Sequence, residues 1–149
     1  IVDVGSNTVR LLVARRQGGG IVPLEEAREH LFLGEDVERD GKLSEARIAQ
    51  AASCAGAYAG TARRLGAGAV EVIVTAPGRQ SSNASRLVRE LTAATGVPVR
   101  VLSADEEGRL AFAGAVARNS VYAHPGVPGA AGCDQNPPRT LQGTRQWQR

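Results

Sequence analysis

Three short stretches of this chain gather side chains that can hold an anion and move a proton. The first is Asp3-Val4-Gly5-Ser6-Asn7-Thr8-Val9-Arg10. A carboxylate set among apolar residues is costly to bury unless it is paired, holds a metal or does chemistry. The turn after it offers backbone N–H groups, two hydroxyls and an amide, and such a turn can wrap an anion. Arg10 can fork onto a phosphate. Read as function, this is a phosphate loop with Asp3 facing a metal or a water. Read as architecture, it is a hairpin turn that Asp3 caps. The second stretch is Val74-Thr75-Ala76-Pro77-Gly78-Arg79-Gln80-Ser81-Ser82-Asn83. It is polar and follows an apolar run, and α/β folds hold ligands at the carboxyl ends of their strands. Arg79 and Asn83 are its ligand contacts, unless the stretch is a helix-capping loop with Asn83 as the N-cap. The third is Ser103-Ala104-Asp105-Glu106-Glu107-Gly108-Arg109. Acids at a helix start complement the macrodipole. One of them can instead be a general base that activates water.

The elements around these stretches are readable from periodicity. Ile1–Val4 and Val9–Ala14 read as strands joined by Gly5-Ser6-Asn7-Thr8, a hairpin composition. Gly18-Gly19-Gly20 turns the chain into a third strand, from about Ile21 to His30. Leu33-Gly34-Glu35 and Asp40-Gly41 mark a loop. Ser44 is a good N-cap for a helix whose stripe is Ile48, Ala51, Ala52, Ala55, Ala59, Ala62 and Leu65. Gly66 and Gly68 end it. Val70–Thr75 has strand character, and Pro77-Gly78 turns the chain. A helix is expected over Ala84–Thr95, closed by Gly96. A strand follows over Val97–Leu102, with Val97, Val99 and Val101 alternating. Ser103 can cap a last helix from about Ala104 to Ala117.

Three antiparallel strands are thus followed by helix, strand, helix, strand, helix. Strands separated by helices pair in parallel. This is the order of a ribonuclease-H-like α/β domain with a mixed five-stranded sheet, the fold of the actin-like ATPase superfamily.

Bulk properties exclude several function classes. The 149 residues suffice for one domain with a real core. No run approaches the ~20 apolar residues of a membrane span, and no signal-peptide pattern is present, so the cytoplasm is the expected location and no membrane partner is expected. Cys54 and Cys133 are too few for a disulfide framework and lack metal-ligand spacing. Net charge is +3, but residues 118–149 carry all of it, through Arg118, Arg139, Arg145 and Arg149 against Asp134. Residues 1–117 are neutral overall, so no nucleic-acid partner is expected and anion binding must come from local groups.

Taken together, DVGSNTVR at 3–10, LGEDVERDGKLSE at 33–45, TAPGRQSSN at 75–83 and SADEEGR at 103–109 resemble four motifs of the exopolyphosphatase / guanosine pentaphosphate phosphatase family (Ppx/GppA). They stand in the family's order and cover residues 1–117, the N-terminal actin-like domain. The resemblance implies removal of terminal phosphate from polyphosphate or guanosine pentaphosphate, with Mg²⁺, in a cleft between two such domains. By position, Glu107 looks like the catalytic base, with neighbouring Glu106 as the fallback. Arg79 resembles the arginine that holds substrate phosphate, with Asn83 in the same element. Gly5, Ser6 and Asn7 belong to the first phosphate loop, Arg10 sits at its end, and Asp3 faces the metal. Family members dimerise, so a homodimer partner is part of the same expectation. The other readings are a non-catalytic module that binds polyphosphate or guanosine tetraphosphate, and a lobe of an actin-like ATPase or sugar kinase.

The chain departs from the family pattern near its end. The family's second phosphate loop follows a strand and ends D-I/V-G-G-G-S. Here the region is Gly132-Cys133-Asp134-Gln135-Asn136-Pro137-Pro138-Arg139. Glycines let backbone N–H groups approach a phosphate, whereas Pro137 and Pro138 have no N–H. Ala104 also stands where the family has glycine. Residues 118–149 therefore read as an irregular Pro/Gly/Gln-rich tail, a truncated or frame-altered start of the second domain.

Overall fold

The structure, a computed structural model, describes residues 1–18 and 20–122, and side chains as far as residue 116. Strands β1 (Val2–Val4), β2 (Thr8–Gln17) and β3 (Gly20–His30) come first. Then follow helices α1 (Leu33–Asp40) and α2 (Glu45–Arg64), strand β4 (Val72–Val74), helices α3 (Ala76–Gln80) and α4 (Ala84–Thr95), strand β5 (Val99–Val101) and helix α5 (Ala104–Tyr122). The five strands form one sheet in the order β3-β2-β1-β4-β5. β1 and β2 pair antiparallel, as do β2 and β3, while β1–β4 and β4–β5 are parallel. This is the expected mixed sheet of the actin-like, ribonuclease-H-like fold.

The alternation of the strands decides what faces the core. Val2 and Val4, Val72 and Val74, and Val9, Leu11 and Val13 are buried on one face of the sheet. Residues between them turn the other way, so Asp3 and Ile73 are half-buried and Arg10 is exposed. In register, Asp3 lies opposite Arg10 on one side and Ile73 on the other. α2 packs on β1 and β2 and along α4. Its buried stripe is Ile48, Ala51, Ala52, Ala55, Ala59 and Ala62, as expected from the spacing, while Leu65 is exposed. Small residues let the two helices come close: a Cβ on Gly56 would stand 3.1 Å from the Ala94 carbonyl oxygen. Ser44 caps α2, its Oγ accepting from Arg47 N–H. α4 spans the residues expected of it and ends at Gly96, whose φ of 70° suits glycine.

Several segments differ from the sequence expectation. The stretch read as a loop at Leu33–Gly41 is helix α1, with Gly41 as its left-handed C-cap donating to Val37 O. Its glycines hid a pattern carried by only Leu33 and Val37, one turn apart on the core side. The Pro77-Gly78 turn is helix α3. Pro77 sits in its first turn, where a missing N–H costs nothing. Gly78 is required there, because a Cβ would come within 2.8 Å of Val74 Cγ1 and 3.0 Å of Val101 Cγ1. α3 therefore lies directly on the ends of β4 and β5. Both of those strands are shorter than their apolar runs, and β5 is an edge strand with Val101 exposed. α5 continues to Tyr122, beyond the expected end at Ala117. The irregular tail expected after it lies outside the described residues from 123 onward. No helix among the described residues is long and apolar enough to cross a membrane.

Candidate active site

The first loop is braced through its carbonyl groups. Asn7 O accepts from Leu31 N–H at 2.9 Å and Phe32 N–H at 3.2 Å, and Ser6 O accepts from Gly34 N–H at 2.8 Å. The start of α1 thus lies on the loop, so close that a Cβ on Gly34 would stand 3.1 Å from Ser6 Cβ. Gly5 N–H closes the turn on Thr8 O at 2.9 Å. Among the described residues, the N–H groups of Ser6 and Asn7 meet no acceptor. A turn anchored through its carbonyls keeps such N–H groups available to an anion.

The second stretch is brought beside this loop by the sheet. Thr75 N–H donates to Val4 O at 3.1 Å, and Thr75 Oγ1 stands 3.8 Å from where a Gly5 Cβ would be. Thr75, the first residue of the TAPGRQSSN stretch, is buried at the start of α3. One helical turn on, Arg79 reaches across the sheet end. Its Nη1 donates to Leu102 O at 2.8 Å and its Nη2 lies 2.9 Å from Glu107 Oε2. Leu102 N–H in turn donates to Val74 O at 2.9 Å, so Arg79 is anchored to backbone that belongs to the sheet.

The two adjacent glutamates have different roles in this structure. Glu106 folds back on the helix start: Ser103 N–H donates to its Oε2 at 2.8 Å, and Glu106 N–H donates to Ser103 Oγ at 3.2 Å. This reciprocal pair is a capping box. The Ser103 backbone N–H, then its hydroxyl, hold the Glu106 carboxyl below its ordinary pKa. Glu107, one residue on, points instead to Arg79. A carboxylate committed to a cap is a poor candidate for a mobile base, which leaves Glu107.

Asp3 is strained electrostatically. Burial pushes its carboxyl above the usual range, Arg10 pulls it back, and Glu107 pushes it up again. Glu107 and Asp3 therefore feel one another across the same end of the fold. Asp3 Oδ1 is buried with no hydrogen-bond partner. An orphaned carboxylate oxygen fits a hard cation. Mg²⁺ typically takes one or two carboxylates and completes its shell with water and substrate phosphate. No group of three or more His, Cys, Asp and Glu side chains clusters among the described residues, so a cation here would depend on Asp3 and the substrate in that manner. Arg10 stands on β2 beside Asp3, its Nε donating to Thr8 Oγ1 at 3.2 Å, rather than at the tip of the loop.

Asn83 does not meet the others. Its Oδ1 accepts from Leu43 N–H at 2.9 Å and its Nδ2 donates to Leu43 O at 2.8 Å. Both ends of the amide are used to tie the 41–44 segment to α4, and the side chain makes no N-cap bond either. Asp36 is a second buried tie that sequence reasoning passed over. It accepts from Ser44 N–H at 2.9 Å and from Arg39 Nη2 at 3.0 Å, and the Ser44 hydroxyl and N–H hold its carboxyl low. The acid-to-serine spacing ahead of α2 was the available signal.

A model of the Ppx/GppA phosphatase family matches residues 12–127, a range that contains Arg79, Glu106 and Glu107 and begins just past the first loop. An uncharacterized protein of Streptomyces coelicolor is 36% identical over 112 residues, 75% of this chain and 33% of that protein. The crystal structure of an Aquifex aeolicus member of the Ppx/GppA family superposes with a TM-score of 0.72 at 26% identity, covering 78% of this chain and 38% of the other. An exopolyphosphatase from Cytophaga hutchinsonii shares the fold, with a TM-score of 0.63 at 20% identity over 68% of this chain and 32% of its own. The chain spans about a third of the length of these relatives.

Proposed function

This chain belongs to the Ppx/GppA phosphatase family, and on that premise we propose that it supplies the phosphate-gripping and base-bearing lobe of a phosphoanhydride hydrolase. Its substrate class is a phosphate chain end, that of polyphosphate or of guanosine pentaphosphate. The observation that carries this reading is the Arg79–Glu107 contact at 2.9 Å, with the unpartnered Asp3 carboxylate near enough to feel the Glu107 charge. The three side chains come from separate elements, Asp3 from β1, Arg79 from α3 and Glu107 from α5.

Phosphoryl transfer needs positioning and charge neutralisation more than covalent help. Arg79 and the N–H groups of Ser6 and Asn7 hold oxygens of the terminal phosphate. Glu107 accepts a proton from a water as the water oxygen attacks phosphorus in line. The bond from phosphorus to the bridging oxygen breaks, and its electron pair leaves with the shortened chain. Asp3 would hold Mg²⁺, whose charge would offset that of the phosphate oxygens. The capped start of α5 keeps Glu107 at a set distance from the sheet end.

The 149 residues span about a third of the relatives' length, and tested by themselves they favour binding over turnover. The test is binding of long-chain polyphosphate by the 149-residue chain, and phosphate release from it with Mg²⁺. We expect binding that weakens about tenfold in Arg79→Ala, as a charge-assisted contact does, and release far below the ~1–10³ s⁻¹ of ordinary enzymes. Unchanged binding in Arg79→Ala overturns the reading. Rapid release that Glu107→Gln abolishes would show that one lobe is enough.

A further inference from the structure

Phe32 holds a backbone conformation that a bulky residue rarely takes. Its φ is 51° and its ψ 43°, in the left-handed region. Among the described residues no other side-chain-bearing residue has a positive φ. Such strain persists only where the surroundings fix it, and it gathers at ligand sites. Here the surroundings are the first loop and the core. Phe32 N–H donates to Asn7 O at 3.2 Å, Leu33 is fully buried, and Gly34 N–H donates to Ser6 O. Yet the Phe32 side chain gains little burial in return, the residue being 41% exposed. Its ring stacks on that of His30, with centroids 5.7 Å apart and planes inclined by 30°. His30 lies opposite Thr8, and Arg10, two residues on from Thr8, lies opposite Asp3. Opposed residues and residues two apart share a face of a sheet, so His30 shares one with Arg10 and Asp3. We propose that Phe32, backed by His30, is a stacking platform for the nucleobase of a ligand whose phosphates rest on the first loop, which makes a nucleoside polyphosphate a better ligand of this chain than inorganic polyphosphate. The proposal rests on the phosphatase reading above and names the substrate class of the same site.

An exposed aromatic ring recognises a flat π-face. Stacking of one base on one aromatic side chain is worth about tenfold or more in affinity, whichever base it is. His30 backs the Phe32 ring in the offset manner that aromatic pairs favour, and the exposed part of the ring is left for a base. The reach fits. Phe32 is bonded to Asn7, so its ring starts beside the loop whose Ser6 and Asn7 N–H groups meet no acceptor among the described residues. β3 and β1 stand two strand spacings apart, roughly 10 Å, which a base, a ribose and a phosphate together span. Inorganic polyphosphate has no flat apolar surface and gains nothing from the ring. The turn itself does not need the ring either, because glycine adopts a positive φ without strain.

The experiment titrates guanosine triphosphate and tripolyphosphate, which carry the same number of phosphates, into the 149-residue chain by calorimetry, with divalent cations chelated. Wild type should bind the nucleotide about tenfold more tightly. Phe32→Gly should bring the nucleotide down to the level of tripolyphosphate and leave tripolyphosphate unchanged. Its urea midpoint should be equal to that of wild type or higher, since the strain is relieved. Phe32→Tyr keeps the ring and should keep the preference. An undiminished preference in Phe32→Gly overturns the proposal. So does a fall in its urea midpoint together with weaker binding of both ligands, for then Phe32 only holds the first loop in place. Equal affinity of wild type for the two ligands overturns the proposal and leaves the phosphatase reading standing. If wild type binds neither ligand, both fall.

Discussion

α4 and α5 flank the short parallel strand β5, yet they are held in opposite ways. α4 buries Leu87, Leu91 and Thr95 against the core and runs along α2. α5 leaves Leu110, Phe112 and Val116 exposed, at 51%, 72% and 50%. What holds α5 is its first turn: the Ser103–Glu106 capping box, the Arg100–Glu106 pair at 3.6 Å and the Arg79–Glu107 contact. The proposed base thus sits on the least packed helix, while Arg79 sits on backbone locked to the sheet. The contrast teaches that stability and chemistry are assigned to different parts of this domain. The same division separates two aspartates. Asp36 is buried with both oxygens bonded, and Asp3 is half-buried with one oxygen orphaned.

The largest effect that can test this contrast is in the packed layer. Leu91→Ala should cost about 2–5 kcal/mol in denaturant unfolding, because a cavity is left in a close-packed site. Phe112→Ala, an equally drastic truncation on α5, should stay within about 0.5 kcal/mol. Comparable losses would mean that α5 is packed after all. Next in size, Asp36→Ala should cost about 1–3 kcal/mol at neutral pH by leaving the Ser44 N–H unpaired. Its folded pKa is depressed, so the stability it contributes is present above the ordinary aspartate pKa and fades as pH falls through the folded value. Ser103→Ala should cost about 1 kcal/mol, read as faster hydrogen exchange confined to the first turn of α5. A global loss of protection would place the cap within the cooperative core.

Asp3 should behave in the opposite sense. Its folded pKa is raised, so the folded state binds the proton more readily than the unfolded one. Stability therefore declines as pH rises from the ordinary aspartate pKa through the folded value. Asp3→Asn should raise the melting temperature at neutral pH, with the gain vanishing at acid pH. A loss of stability at neutral pH in Asp3→Asn would show that the carboxylate is structural. The smallest expected effect is Arg28→Glu. Arg10 and Arg28 are directly opposed on β2 and β3, and removing that like-charge pair should gain about 0.2–1 kcal/mol.

Much of the fold was legible because its signals are local. The Ser44 cap, the alanine stripe of α2, the span of α4 with its closing Gly96, and the strand alternation around Val2 and Val4 all repeat within a turn or two of chain. α1 and α3 were not legible. They are short, they carry turn-like Gly and Pro, and they are helical because of what they rest on: Leu33 in the core, and Gly78 against Val74 and Val101. The site divides in the same way. The motifs pointed to Arg79 and to the glutamate pair, and the structure brings Arg79 and Glu107 into contact.

The sequence by itself determined the order of the five strands and the three longer helices, the family pattern and the set of residues able to do phosphate chemistry, because each depends on neighbours in the chain. Only the tertiary structure decided how those residues are used. It turned Glu106 into a cap and Glu107 toward Arg79, and set both ends of the Asn83 amide on Leu43, 40 residues away. It also left one oxygen of Asp3 buried without a partner. Those outcomes rest on contacts between distant segments, and hydrogen-bond geometry across such distances is fixed by packing of the sheet and its helices rather than by any local preference of the chain.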